Sequence, residues 1–510
     1  MQLNEQEFSD RVLGCWLGKN VGGTLGMPFE WKRQINNVSF YTQDLGGEPI
    51  ANDDLDLQLL SLIVLEERGV DLDAHTLAEY WTLYVTPHWA EYGTAKINMR
   101  AGLMPPLCGT RGNAFKHSCG AFIRSEIWAC IAPGDPQRAA YYALQDAMVD
   151  HGDGEGTYAA VFMAAVESAA FVEKDLRVLI DIGLSFLPQE CGVAGAARCA
   201  LACHDAGKLW QEAREEILRG FRGGTYLNLS HYTSPEDHEK GLSDGVLGWD
   251  APGNIGLTVL ALLQGKGDFG QTLCIAVNCG EDTDCTAASA GALFGIMNGS
   301  AAIPADWIAP IGRTIKTACL NLGELGYING SIPADVDALT RRTVEMTRLV
   351  QARFRPPLRL TSAATDLSGH EPQTLMAGDA RHLYERLQGP VYRFDFFEVY
   401  LDCDGDATIA PGQSRTITVR LRNTYKVQAN LQLKWYAPDG WRVSPRRATI
   451  LSLPISLGTS GECTFQITAP AEWGEANAHR FVLEVTSDGR PTVMTAPLVL
   501  LGAEGSEQAS

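Results

Sequence analysis

Over residues 5–17, apolar side chains recur at helical spacing (Phe8, Val12, Leu13, Trp16, Leu17). Glycines crowd residues 18–26, which read as the flexible end of that helix. A second helix is predicted over residues 55–64, directly after an acidic turn. Residues 158–172, 192–206, 256–264 and 286–297 are rich in alanine and almost free of charge. Helices that are apolar on most faces belong inside a large core, and their small residues permit close helix approach. The alternation expected of strands is nearly absent before residue 350, so an all-α domain is predicted over residues 1–350.

Beyond this point the pattern changes twice. Residues 351–391 carry Pro356-Pro357 and a Ser/Thr/Asp/Gly-rich stretch, then a short helix-like piece over 374–387. They read as a linker with local structure. From Tyr392 onward the period becomes two, over residues 416–423, 431–438, 463–470 and 480–500, with turn signals between them. A smaller antiparallel β-sandwich of immunoglobulin-like type is predicted over 392–502. A disordered tail is expected over 503–510.

Composition narrows the partners. The 510 residues are 45% apolar and 20% charged, as in globular proteins, and carry a formal net charge of −20. A polymeric nucleic acid partner needs a basic face, and no basic run supplies one. No apolar run approaches the roughly 18 residues of a membrane span. The 13 cysteines are odd in number and include no CxxC pair or Cys/His ligand spacing, which argues against zinc. Most sit in apolar stretches, as small core residues. With no signal-like N-terminus, they predict a reducing, cytoplasmic setting.

Two acidic clusters are the candidate chemistry. The first, Asn52-Asp53-Asp54-Leu55-Asp56, precedes an apolar helix. A helix cap explains one such residue. Three carboxylates in four residues call for a cation or for full exposure to water. The second, Glu281-Asp282-Thr283-Asp284, lies between two apolar segments. Removing unpaired carboxylates from water costs several kcal/mol each, so a metal or an arginine is expected there unless the turn is exposed. The EF-hand ligand pattern is missing. Gly22-Gly23-Thr24-Leu25-Gly26 lacks the lysine and the strand context of a phosphate loop. His151, in Asp150-His151-Gly152-Asp153, is open to a capping, core or catalytic reading.

In this order the elements resemble the ADP-ribosylglycohydrolase family. That family opens with RxxGxxxGxxxGDxxGxPxE, and Arg11, Gly14, Gly18, Gly22, Gly26, Pro28 and Glu30 fall in the same frame. Its Thr-Asp-Asp-Thr motif is met by Asn52-Asp53-Asp54-Leu55, and its Gly-Ala-Met-Arg-like substrate loop by Gly120-Ala121-Phe122-Ile123-Arg124. A PGDP turn follows at 133–136, then His151 before an alanine-rich helix. The family's AVNxGGDTDTxAAxxGALxGAxxG is matched over residues 276–299, and the resemblance spans about residues 8–310.

The resemblance implies two divalent ions, magnesium or manganese, with Asn52, Asp53, Asp54, Asp282, Asp284 and Cys285 as metal ligands. Glu30, Asp54 and Asp282 are the implied catalytic residues, and Cys119, Gly120, Ala121 and His151 the implied substrate contacts. The implied reaction is hydrolysis at the anomeric carbon of a ribosyl or ADP-ribosyl group. The expected partner is a small-molecule or ADP-ribosylated substrate, and homo-oligomerisation is left open. Several positions depart from the family: Asn52 and Cys285 replace threonines, Gly23 replaces an aspartate, and Glu281 replaces a glycine. Cys285 is a soft, poor ligand for magnesium. Glu281 is expected to add an acid to the site. These departures keep two alternatives open: a catalytically impaired ADP-ribose or nucleotide reader, and a structural recruit of the same scaffold. In the sandwich, residues 433–445 weakly resemble modules that accompany carbohydrate-active enzymes. There Trp435, Tyr436 and Trp441 are either a sugar platform or, the preferred reading, core.

Overall fold

The structure, a computed structural model, describes residues 1–222, 233–242, 251–321, 332–458, 460–473 and 476–503. Two compact units are formed, and neither is continuous in sequence. One comprises Met1–Glu91 and Ala114–Leu383; the other comprises Tyr92–Asn113 together with the chain from Tyr384 onward. Residues 504–510, most of the expected tail, lie outside the described residues.

The first unit is helical. The helices that matter for the site are α1 (Glu5–Gly26), α2 (Asp53–Arg68), α3 (Glu126–Ile131), α4 (Ala251–Gln264), α5 (Phe269–Asn278) and α6 (Thr283–Asn298). The predicted buried helices are present as Glu155–Ala169, Gly192–Asp205, α4 and α6. Among the described residues, the strands of this unit are Gln2–Asn4 and Arg359–Thr361, which pair in parallel.

The glycine-rich end of α1 differs from expectation. Residues 18–26 are helical, not a loop, because the glycines are four apart and line one face. A Cβ on Gly18 would sit 2.0 Å from the Gly291 carbonyl oxygen, and one on Gly22 would sit 2.2 Å from that of Ala287. Gly14 and Gly26 meet Gly295 and Thr283 in the same way, so α1 and α6 run antiparallel with their backbones almost in contact. Packing against α6 repays the helix propensity that glycine gives up. The pairing also fixes a register in which the C-terminal end of α1 lies on the first turn of α6. There Thr283 Oγ1 donates to the Gly26 carbonyl at 2.9 Å.

The second unit holds two five-stranded sheets. One orders its strands Val391–Arg393, Phe397–Asp402, Ser414–Asn423, Ser460–Thr468, Arg442–Ser444; the other Thr408–Ile409, Val493–Gly502, Ala478–Ser487, Ala429–Tyr436, Arg447–Ser452. Pairing is antiparallel except at the edge, where Thr408–Ile409 joins Val493–Gly502 in parallel. Inward residues of both sheets form one apolar core, to which Leu103, Leu107 and Cys108 also contribute. Trp435 and Trp441 belong to that core, while Tyr436 is exposed and donates to Glu484. Only one of the three aromatics is thus available at the surface.

Candidate metal centre

The register of α1 on α6 brings three acids together. Glu30 follows the short 3-10 turn Met27–Phe29 at the end of α1, and Asp282 and Asp284 open α6. One ligand atom from each of Glu30, Asp282 and Asp284 lies within 4.8 Å of the others. A second such group, Asp54, Asp284 and Cys285, shares Asp284 and brings in the first turn of α2. Residues more than two hundred positions apart therefore converge on one place.

Neither acidic cluster is spent on capping its helix. Asn52 and Asp282 occupy the N-cap positions of α2 and α6, yet neither side chain makes a capping hydrogen bond. Asn52 Nδ2 instead donates to Asp284 Oδ2 at 3.3 Å. Asp282 and Asp284 are only 4% and 2% exposed, and the Oδ1 of each has no hydrogen-bond partner. Burial and mutual repulsion show in their acidities. Desolvation and the charge of Asp282 push Glu30 up to about 8. Asp284 rises well above the usual carboxylate range through desolvation and the charges of Glu30, Asp282 and Asp54. Desolvation lifts Asp54 to about 7, although Lys19 pulls the other way.

Such a set is costly as bare anions. Orphaned, buried, hard oxygen donors fit a divalent ion of the magnesium or manganese kind. Cys285 fits less well. Its Sγ donates to Asp54 Oδ1 at 3.5 Å, and burial beside three aspartates keeps it a thiol, a weak neutral donor.

Not every acid of the two clusters joins the centre. Asp56 Oδ2 accepts from the backbone amides of Ala318 and Cys319 at 2.6 and 2.7 Å, its buried Oδ1 has no hydrogen-bond partner, and it belongs to neither ligand group. Asp53, half-buried, adds its charge to Glu30 and Asp54 without entering either ligand group. Glu281, expected to add an acid to the site, instead pairs with arginines. Its Oε2 accepts from Arg33 Nε at 3.1 Å and its Oε1 from Arg222 Nε at 2.9 Å. The two guanidinium groups outweigh its desolvation and hold it near 2. Its backbone φ of 68° lies in the left-handed region, a cost of about 1 kcal/mol for a residue with a Cβ. Thr286 Oγ1 bonds the Thr283 carbonyl, not an acid.

The implied substrate loop, Cys119-Gly120-Ala121, is buried. Arg124 braces it from below by donating to the Gly120 carbonyl, while pairing with Asp146 at 2.7 Å and Asp150 at 2.7 Å. Cys119 lies near Cys285. His151 is fully buried; its Nδ1 is 2.9 Å from Asp150 Oδ1 and its Nε2 3.1 Å from Ser118 Oγ. It reaches the loop through Ser118. Sequence reasoning missed Lys19, Glu126, Arg33 and Arg222. Of these only Lys19, the one charge between Val12 and Gly26 and set among glycines, carried a readable signal.

Comparisons with known proteins follow the geometry. Curated proteins return no match. Among solved structures, an ADP-ribosylglycohydrolase-related protein complex aligns at 20% identity and a TM-score of 0.40, over 67% of this chain and 99% of the other. A FixG-related protein from Vibrio parahaemolyticus aligns at 11% identity and a TM-score of 0.16, over 18% and 80%. The ASH/PapD-like domain of human CEP192 aligns at 15% identity and a TM-score of 0.16, over 22% and 90%. No helix among the described residues is long and apolar enough to cross a membrane. The sequence model described as ADP-ribosylglycohydrolase matches residues 4–335, and so this chain belongs to the ADP-ribosylglycohydrolase family.

Proposed function

We propose that this protein is a metal-dependent hydrolase that cleaves an N- or O-glycosidic bond at the anomeric carbon of a ribosyl or ADP-ribosyl substrate. The observation that carries the reading is the buried trio of Glu30, Asp282 and Asp284, with orphaned oxygens on both aspartates. A polar set of this kind, kept inside a helical core, is expensive unless a cation completes it. Bound divalent metal would orient the sugar diol and a water and offset negative charge.

The chain's own residues supply the rest. Glu30 is our choice for the group that takes a proton from water. It is less buried than the aspartates, and its raised pKa, a weakened acidity, places it near the working range of a general base. Asp54 and Asp282 contribute negative charge that favours an oxocarbenium-like transition state. Cys119, Gly120 and Ala121 are our choice for the substrate loop, with Arg124 holding Gly120 and His151 bonded to the preceding Ser118.

The test is to incubate the full chain with magnesium or manganese and a panel of ADP-ribosyl-arginine, ADP-ribosyl-serine, nucleosides and simple glycosides. Release of ribose or ADP-ribose that stops with EDTA and with Asp282→Ala is the expected result. The replacement of threonine by Cys285 favours a second reading, a catalytically impaired reader of ADP-ribose or nucleotides. Tight, metal-dependent ADP-ribose binding with no sugar released from any member of the panel would establish that reading instead.

A further inference from the structure

The two ligand groups that share Asp284 are unlike in one respect: a buried ammonium stands beside only one of them. Lys19 lies in the middle of α1, with 1% of its surface exposed. Its Nζ is 3.4 Å from Asp54 Oδ2 and 2.8 Å from Glu126 Oε1, and it donates to the Ile123 carbonyl. Two of its three donors are used in hydrogen bonds, to Glu126 and the Ile123 carbonyl, and Asp54 stands beside it as an ion pair. Glu126 is held in turn by Gln58 Nε2 at 2.9 Å, and Gln58 Oε1 accepts from the Ile127 amide at 2.8 Å. The lysine is thus clamped from α2 and α3, and the surrounding carboxylates keep it charged.

Asp54 is flanked on both oxygens, although its Oδ2 makes no hydrogen bond. One oxygen faces the Lys19 ammonium, and the other accepts from the Cys285 thiol. A divalent ion at this position would sit beside a fixed positive charge in a poorly solvated interior, where like charges repel strongly. It would also have to accept a neutral sulfur among its donors, a poor match for a hard cation. The Glu30–Asp282–Asp284 group has three hard oxygen donors and no thiol, and both of its aspartates keep an orphaned oxygen, as Asp54 does at Oδ2.

We infer that Lys19 is the resident cation of the Asp54 position, so that the centre takes a single hard divalent ion, held by Glu30, Asp282 and Asp284. The inference rests on the metal centre of the proposed function, but not on turnover. Asp54 then serves as a buried anion fixed by lysine and thiol, not as a ligand of a second metal ion.

Manganese binding to the full chain tests this directly, by calorimetric titration and by electron paramagnetic resonance of the bound ion. One tight equivalent with the spectrum of an isolated manganese ion is expected, and any further equivalent should bind at least about 100-fold more weakly. Two tight equivalents, or an exchange-coupled pair, would overturn the inference. The paired substitution Lys19→Met with Glu126→Gln removes the ammonium and one of its buried counter-charges together. It should tighten the second equivalent by at least about 10-fold. A folded double variant that still binds only one ion removes Lys19 from the explanation, and should it fail to fold, the wild-type titration alone decides. One tight ion without sugar release would sink the hydrolase reading and leave the inference standing. Sugar release by a two-ion protein would do the reverse, and an absence of metal binding would end both.

Discussion

Glu281 and Asp282 are neighbours in the chain with opposite electrostatic fates. Glu281 points at Arg33 and Arg222, loses its proton easily and sits near 2. Asp282 points at Glu30 and Asp284, with one oxygen bonded to nothing among the described residues. Arg214, which pairs with Asp237 at 2.7 Å and donates to the Cys279 carbonyl, completes the arginine side. One turn of chain therefore divides an arginine-rich salt-bridge cluster from a group of acids short of positive charge. Burial alone does not mark a site; buried charge left uncompensated does.

The largest expected effect tests the uncompensated side. Asp284→Asn removes the carboxylate common to both ligand groups. It should abolish manganese binding seen by calorimetry and cut sugar release by about 1,000-fold or more, a transition-state loss on the order of 4 kcal/mol. Retention of metal affinity within a few-fold would break the comparison at its centre. Next in size, Glu281→Gln strips a charge from two buried arginines. It should destabilise the chain by about 3 kcal/mol in urea unfolding while leaving metal affinity within a few-fold.

A third test concerns register. Gly18→Ala places a Cβ 2.0 Å from the Gly291 carbonyl oxygen and should cost about 2 kcal/mol by overpacking. Metal affinity should fall with it, because α1 carries Glu30 to α6. An affinity unchanged in the face of lost stability would show that the centre does not depend on this helix pair.

The pH dependence has a definite sign. Glu30 and Asp54 titrate near 8 and 7 in the folded chain, against 4.5 and 3.8 for the free groups. Between those limits the folded, metal-free protein holds more protons than the unfolded one, so its stability falls as pH rises. In EDTA the thermal midpoint should drop from about pH 5 to about pH 8, and saturating manganese should flatten or reverse the trend. A metal-free protein that gains stability over this range would mean the acids are already compensated. The smallest effect is the counterpart of the first. In EDTA, Asp284→Asn should stabilise the chain, by about 1 kcal/mol in urea unfolding, since a neutral amide replaces a buried acid crowded by Glu30, Asp282 and Asp54.

Much of this was legible in the residues. Alanine-rich, charge-poor segments announced buried helices, and the alternation beyond Tyr392 announced a sandwich, because burial imposes its period on the chain. The acids of both clusters were visible as carboxylates too crowded for capping alone. Three things were not legible. The glycines of α1 read as a helix end because propensity is local, whereas the face they offer to α6 is paid back only by the partner. Glu281 read as one more acid of the site because Arg33 and Arg222 are far away in sequence. Asp56 read as an acid needing a cation or full exposure to water, and the backbone amides that bond its Oδ2 lie some 260 positions onward.

The amino-acid order by itself determined which segments are helix and strand, and which residues carry enough negative charge to require compensation, since both follow from composition and local period. Only the tertiary structure decided which acids meet, which are answered by arginine, and that an ammonium from α1 stands at Asp54. The reason is distance: electrostatic energy depends on separations of a few ångströms in a poorly polarisable interior, and those separations are set by helix packing between residues hundreds of positions apart.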